Sequence, residues 1–294
     1  MAGECSAWGV WWDALSAPLQ DGKIVKLPTG AAADCAFGWL KTHGRPAFNW
    51  IKDQVESLID ATLWLLQLPH PLVVAALFVA LTWLIQRRWQ PCVLVGLGFL
   101  YIINQGYWEE TTETLTLVLY SCVICMGIGV PVGIAAAHRP RLYAWLRPVL
   151  DLMQTLPTPV YLIPFVILFR LGMVPGLMAT IIFVVPAAIR LTQLGIVSTP
   201  RALIEASTAF GATKRQTLWK VELPWAFPQI MAGLNQTIML SLSMVVIAAW
   251  VGADGLGVPV VRALNTVNAA LGFEAGSVIV VLAIMLDRML RVER

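Results

Sequence analysis

Blocks of apolar sequence long enough to cross a bilayer, separated by short polar loops, narrow the folds open to this chain more than any other feature. A hydrocarbon core of about 30 Å takes roughly 20 helical residues per crossing. Lipid offers backbone N–H and C=O groups no partners, so such segments satisfy themselves internally as helices. Seven blocks meet or approach that length, at approximately 71–86, 91–106, 115–137, 149–170, 174–195, 229–252 and 274–290. Composition agrees: of 294 residues, 58% are hydrophobic and 13% charged, with a mean hydropathy of +0.74, far from the averages of soluble domains. The expected fold is all-α, a polytopic helical membrane protein with about seven transmembrane helices.

Charge in the loops sets an expected orientation, because Lys and Arg beside spans stay in the cytoplasm. Arg87 and Arg88 fall on one side, Glu109, Glu110 and Glu113 on the other, and Arg139, Arg141 and Arg147 back on the first. Arg190, Arg201, Lys214, Arg215 and Lys220 continue the positive side, as do Arg288, Arg291 and Arg294, whereas the 253–273 loop has only Arg262. The N-terminus is therefore expected outside and the C-terminus in the cytoplasm. If either of the short first two blocks failed to span, the side assigned to residues 1–70 would flip. The net charge of +3 then reflects topology, with no nucleic-acid partner implied.

Three zones are expected: an external segment over 1–70, two short peripheral spans over 71–109, and a core over 110–294. The start, MAGECSAWGVWW, lacks the basic opening and apolar stretch of a signal peptide. Residues 1–54 carry Trp8, Trp11, Trp12, Trp39 and Trp50 among Gly and Pro and read as irregular, anchored at the membrane surface. From Val55 to Leu66, apolar Val55, Leu58, Ile59, Leu63 and Leu66 recur at helical spacing, with Glu56 and Asp60 on another face, which predicts a helix lying in the interface. Cys5 and Cys35 fall in this external segment and are candidates for a disulfide, although spacing alone does not bring their Cα atoms together. Cys92, Cys122 and Cys125 lie in or beside spans and read as buried thiols.

Several chemistries find no support. His43, His70 and His138 are scattered, and no GxxxxGK[ST] phosphate loop occurs. Asp151, Arg170, Arg190 and Asp287 all fall near helix ends, whereas a proton-coupled carrier needs an ionisable group deeper in the membrane. An ion-coupled secondary carrier or channel is the alternative reading, and a membrane-embedded enzyme is weaker still. Energy for any transport is expected from another subunit.

One loop is unlike the others. Residues 205–224, EASTAFGATKRQTLWKVELP, are polar and stranded between spans. Thr199 before Pro200 reads as an N-cap followed by a first-turn proline. Leu203, Ala206 and Phe210 then share a face, Gly211 suits a left-handed helix end, and Thr213 with Gln216 reads as a capping box. Leu223-Pro224 is expected to end the second helix. The result is a cytoplasmic helix, glycine turn and helix, with Phe210 and Leu218 apolar and Lys214, Arg215 and Lys220 basic.

This segment resembles the EAA loop of the membrane subunits of ATP-binding-cassette importers, E-A-A, three residues, Gly, nine residues, Ile, one residue, Leu-Pro. Glu205, Ala206, Gly211, Leu223 and Pro224 match in register; Ser207 and Val221 stand where the pattern has Ala and Ile. The resemblance implies a coupling helix that inserts into an ATPase subunit. It extends over residues 110–290, where MQTLPTPVYLIPFVILFRLG, IIFVVPAAIRLTQLGI, MAGLNQTIMLSLSMVVIA, GADGLG and a terminal LDR look like the permease of quaternary-amine importers. It implies a type I importer permease fold in a bacterial inner membrane and a non-catalytic subunit without its own cofactor. The implied partners are a second copy of the chain, two ATPase copies carrying ATP and Mg, a periplasmic solute-binding protein, membrane lipid, and a small-molecule solute with choline placed first among choline, glycine betaine and proline betaine.

For the solute route, Thr237, Ser241, Ala248 and Gly252 fall on one face of the sixth block, near Asn235, Gln236 and Ser243. The same small and hydroxylated residues also suit helix packing. Trp250 offers an aromatic face to a quaternary ammonium, which has no N–H to donate, and equally suits the membrane interface. Pro131, Pro157, Pro159, Pro164, Pro175 and Pro186 are expected to break or kink helices at membrane depth.

Overall fold

The structure is a computed structural model that describes residues 29–290. Among the described residues it is helical throughout, without a strand. In chain order the helices are α1 (Thr29–Gln67), α2 (Pro71–Gln86), α3 (Trp89–Gln105), α4 (Trp108–His138), α5 (Pro140–Thr155), α6 (Leu162–Phe169, after a 3-10 turn at Thr158–Tyr161) and α7 (Met173–Val197). They continue with α8 (Arg201–Ala209), α9 (Lys214–Thr217), a π turn (Leu218–Glu222), α10 (Leu223–Ala249), α11 (Gly257–Thr266) and α12 (Ala269–Leu290).

Four stretches are long and apolar enough to cross a membrane alone: α4, α7, the continuous run Lys214–Ala249, and α12. Two further spans follow only if the bent pairs α1 with α2 and α5 with α6 each cross as one unit, so the count is four to six instead of seven. Length explains the difference at the start. α2 has 16 residues and α3 has 17, and at 1.5 Å per residue each falls short of a core of about 30 Å. The expected block 149–170 is not one helix either. α5 and α6 meet at 106°, because Pro157 forces Leu156 out of the helical region to ψ 136.

Helix also begins earlier than expected. Residues 29–54, read from sequence as irregular, belong to α1, which accommodates Pro46 inside it. Alanines 31, 32, 33 and 36 favour helix, the Thr42 hydroxyl donates to the Gly38 carbonyl at 2.8 Å, and Trp39 stacks on His43 one turn later. The face predicted to lie on the membrane surface instead meets α4. Ile59 is buried with Val55 and Leu63 against it, the Tyr120 hydroxyl donates to the Leu58 carbonyl at 2.9 Å, and the Gln67 amide donates to Thr112 Oγ1 at 2.9 Å. Leu58 itself faces outward. Cys5 lies outside the described residues, and its pairing with Cys35 with it; Cys92, Cys122 and Cys125 are buried free thiols.

The centre of the molecule is α7, whose most apolar window is 72% buried, against 39% for α4 and for Lys214–Ala249 and 22% for α12. Small residues let its neighbours approach. A Cβ on Gly129 of α4 would lie 2.5 Å from Ala188 Cβ, and one on Gly133 would lie 2.6 Å from Thr192 Cβ. Gly176 meets Ala248, and Gly195 meets Ala226 and Gln229, on the α10 side. Gly129 and Gly133 form a G-x-x-x-G spacing, a recurrent close-packing surface between membrane helices. α2, α3 and α12 gather round a second cluster with Phe99, Leu282 and Met285.

The end of α2 meets the end of α12, where the Gln86 amide donates to the Arg288 and Met289 carbonyls at 3.0 and 3.1 Å. Elsewhere His138, at the end of α4, lies beside Glu222 at the root of the 205–224 loop.

Replacing Gly129 or Gly133 with Ala should push α4 off α7 and destabilise the protein by about 1–3 kcal/mol, seen as a lower unfolding temperature in detergent. Gly127→Ala, whose Cβ meets nothing within 4 Å, should be neutral or mildly stabilising.

Candidate functional site

The polar loop between α7 and α10 is a compact helical hairpin. Its first arm is α8, and the chain reverses through a Schellman arrangement. The Ala212 N–H donates to the Ser207 carbonyl at 3.0 Å and the Gly211 N–H to the Thr208 carbonyl at 2.9 Å, with Gly211 at φ +75. The capping box expected at the second arm is present: Gln216 N–H donates to Thr213 Oγ1 at 3.3 Å, and Thr213 N–H donates to Gln216 Oε1 at 2.8 Å. Ser207, where the EAA pattern has Ala, has a role here. Its hydroxyl lies 3.1 Å from Thr217 Oγ1 and joins the two arms.

Two details differ from the sequence reading. Thr199 does not cap α8, because Pro200 itself occupies the cap position in extended geometry, φ −58 and ψ 131. That leaves the Thr199 hydroxyl one residue early, buried without a hydrogen-bond partner among the described residues. Nor does Leu223-Pro224 end the second helix, since Lys214–Ala249 runs on as one 36-residue stretch. The π turn makes this tolerable. Leu223 N–H reaches back to the Leu218 carbonyl, five residues away, and the widened turn gives the proline ring room against the carbonyls of the preceding turn.

The hairpin leaves its apolar face uncovered. Phe210 is 92% exposed at the tip, and Leu203 and Ala206 on the same face are exposed too. Glu205 is exposed, as are Lys214, Arg215 and Lys220 on the second arm. Val221, half-buried, sits near the root, where Trp219, Leu223, Pro224, Phe227 and Ile230 line a groove of about 360 Å³. At the root itself Glu222 is buried, with Oε2 2.9 Å from His138 Nε2. Sequence spacing gave no signal for that pair, whose members are far apart in the chain. The Arg190–Asp151 pair, 2.6 Å apart, likewise joins two groups that the sequence showed only as lying near helix ends.

Thr237 and Ser241 do not line an open route. Both are fully buried between helices: the Thr237 hydroxyl donates to the Gly233 carbonyl at 2.8 Å, and Ser241 Oγ lies 2.7 Å from Ser121 Oγ of α4. A hydroxyl away from water needs a partner: Thr237 finds it one turn back in its own helix, and Ser241 finds it on the neighbouring α4. Trp250, the residue that follows α10, is 57% exposed. At the opposite end from the hairpin, Tyr107, Glu109, Glu110, Glu113, Asp254 and Arg262 are among the residues lining a hollow of about 260 Å³. Burial, then the nearby Glu274 and Glu110 carboxylates, pushes the Tyr107 phenol above its ordinary value. Among the described residues no group of three or more His, Cys, Asp or Glu is placed to hold a metal ion.

The local bonds predict how the hairpin responds to change. Gly211→Val puts a β-branched residue in left-handed geometry at a cost of about 1–2 kcal/mol, and Thr213→Ala removes a cap worth about 1 kcal/mol. Both should speed hydrogen exchange at Ala212 and Gln216 by roughly fivefold or more, and unchanged exchange in both variants would mean that these bonds do not hold the hairpin.

Residues 129–292 match the family described as "Binding-protein-dependent transport system inner membrane component". The chain is 41% identical over 266 residues to the glycine betaine transport system permease protein OpuAB of Bacillus subtilis (strain 168), covering 90% of this chain and 94% of that protein. It is 44% identical over 258 residues to the glycine betaine/proline betaine transport system permease protein ProW of Escherichia coli (strain K12), covering 85% of this chain and 71% of ProW. In fold, it resembles an inward-facing MetNI methionine ABC transporter chain, with a TM-score of 0.57 at 24% identity over 62% of this chain and 91% of that one. With more than half of its length inside the family match and such identity along most of the chain, this protein belongs to the binding-protein-dependent inner membrane transport components, multi-pass transport subunits of the type I ABC permease fold.

Proposed function

We propose that the chain is the membrane-spanning subunit of an ATP-driven importer that carries glycine betaine or a related quaternary ammonium solute into the cytoplasm. It works as a homodimer with two copies of a separate ATPase, which carries the ATP and Mg, and receives solute from an external binding protein. The observation that carries this reading is the hairpin. It is folded by its own caps, holds an almost wholly exposed Phe210 at its tip, and continues without a break into a 36-residue run that is long and apolar enough to cross the membrane. Burying one such phenylalanine contributes about 1.5–3 kcal/mol, so a partner groove that receives it gains both affinity and a lever on α10. Glu205 through Pro224 form the coupling surface, with Glu205, Ala206, Ser207, Phe210 and Gly211 at the tip arm and Val221, Leu223 and Pro224 at the root.

The excess of Lys and Arg on the hairpin side supports a cytoplasmic hairpin and C-terminus and an N-terminus outside. The names of the similar permeases put glycine betaine ahead of choline, which reverses the order set by overall likeness. Trp250, with its exposed indole, is the side chain we assign to the route, as an aromatic face for the cation.

The test is reconstitution in proteoliposomes with the ATPase and the binding protein. Glu205→Lys and Gly211→Val should lower solute-stimulated ATP hydrolysis and uptake roughly tenfold or more, the scale of losing an interface anchor, with membrane insertion intact. Normal stimulation in both variants would sink the coupling role. In competition, glycine betaine should displace labelled solute better than choline or proline, and the reverse order would overturn the solute assignment.

A further inference from the structure

At the root of the hairpin sits a buried carboxylate, apart from the hairpin's exposed residues. Glu222 lies within the π turn, 7% exposed, and its Oε2 has no aligned hydrogen-bond donor among the described residues. A carboxylate so buried is strongly unfavourable unless something compensates it. The compensating group is the imidazole of His138, the last residue of α4, with Nε2 2.9 Å from Oε2.

The other ring nitrogen holds the ring in place. His138 Nδ1 lies 2.9 Å from the Ile134 carbonyl one turn earlier in α4, which leaves Nε2 turned toward Glu222.

No other charge substitutes. The charged residues on the surrounding elements are Arg139 beside His138; Arg141, Arg147 and Asp151 on α5; Arg190 on α7; Arg201 and Glu205 on α8; and Lys214, Arg215 and Lys220 on the second arm. α10 carries none. Arg190 is bound to Asp151, and among the described residues none of these groups pairs with His138 or Glu222.

α4 runs unbroken for 31 residues from this contact to the opposite end of the molecule. There Thr114 Oγ1 accepts from the Leu256 N–H at 2.9 Å. We propose that His138 is a positioning residue for coupling: its contact with Glu222 fastens the hairpin root to the end of α4, so that hairpin movement is passed to the far end of that helix. The inference rests on the coupling role given above.

The experiment uses the full complex of permease, ATPase and binding protein in proteoliposomes, with the ratio of solute-stimulated to basal ATP hydrolysis as the readout. His138→Ala strands the carboxylate and should cut the ratio roughly tenfold. His138→Gln still offers Glu222 an N–H and should keep the coupling. An unaltered ratio in His138→Ala, or a ratio in His138→Gln as low as in the alanine variant, overturns the proposal. If His138→Ala fails to assemble, Glu222→Ala decides it: removing the contact without leaving a buried charge should lower the ratio, and an unaltered ratio there overturns the proposal. Gly211→Val and Glu205→Lys measured alongside separate the two ideas. If they uncouple while His138→Ala does not, His138 alone is misassigned; if they too leave the ratio unchanged, the coupling role has failed.

Discussion

Close contact between α7 and its two neighbours is the constraint on which the rest of the molecule depends. Lipid chains are as apolar as leucine, so no hydrophobic force draws these helices together, and association relies on surfaces that fit. Glycines 129, 133, 176 and 195 provide that fit by letting Ala188, Thr192, Ala248 and Ala226 come within backbone distance. The Ser121–Ser241 contact adds a polar link between α4 and α10. α7 leads into the hairpin and α10 leads out of it, so the same packing that forms the core also sets where the hairpin stands.

The hairpin combines local self-sufficiency with mechanical continuity. Its turn and second cap close their own backbone bonds without help from the rest of the chain. Its root is different. There the π turn lets the chain pass Pro224 and enter α10 as one rod, and Glu222 reaches across to α4. A lever needs a tip that fits a partner and a base that does not give. The exposed tip and buried root suit the hairpin to the coupling role proposed above.

Much of this was legible in the chain. The capping box at Thr213 and Gln216, the left-handed Gly211 and the exposed aromatic at Phe210 all follow from local rules that operate within one or two turns. The expectations that failed involved competition at longer range. Pro224 reads as a helix stop until a widened turn absorbs it. Thr199 reads as a cap until Pro200 takes the cap position. Residues 29–54 read as irregular because Gly and Pro are counted against helix, yet alanines and one-turn contacts outweigh them. Thr237 and Ser241 share a face in any helix, and only the position of Ser121 on a neighbouring helix decides that at least part of this face is packed away.

The sequence by itself determined the helical membrane class, the location of the hairpin, its glycine turn and its second cap, because bilayer thickness and backbone hydrogen bonding act on contiguous residues. Tertiary structure alone decided that α7 is the centre, that 149–170 bends at Pro157 into two helices 106° apart, and that His138 meets Glu222. These outcomes depend on which helix surfaces can approach within contact distance, and residues remote in the chain carry no mark of that until the helices have packed.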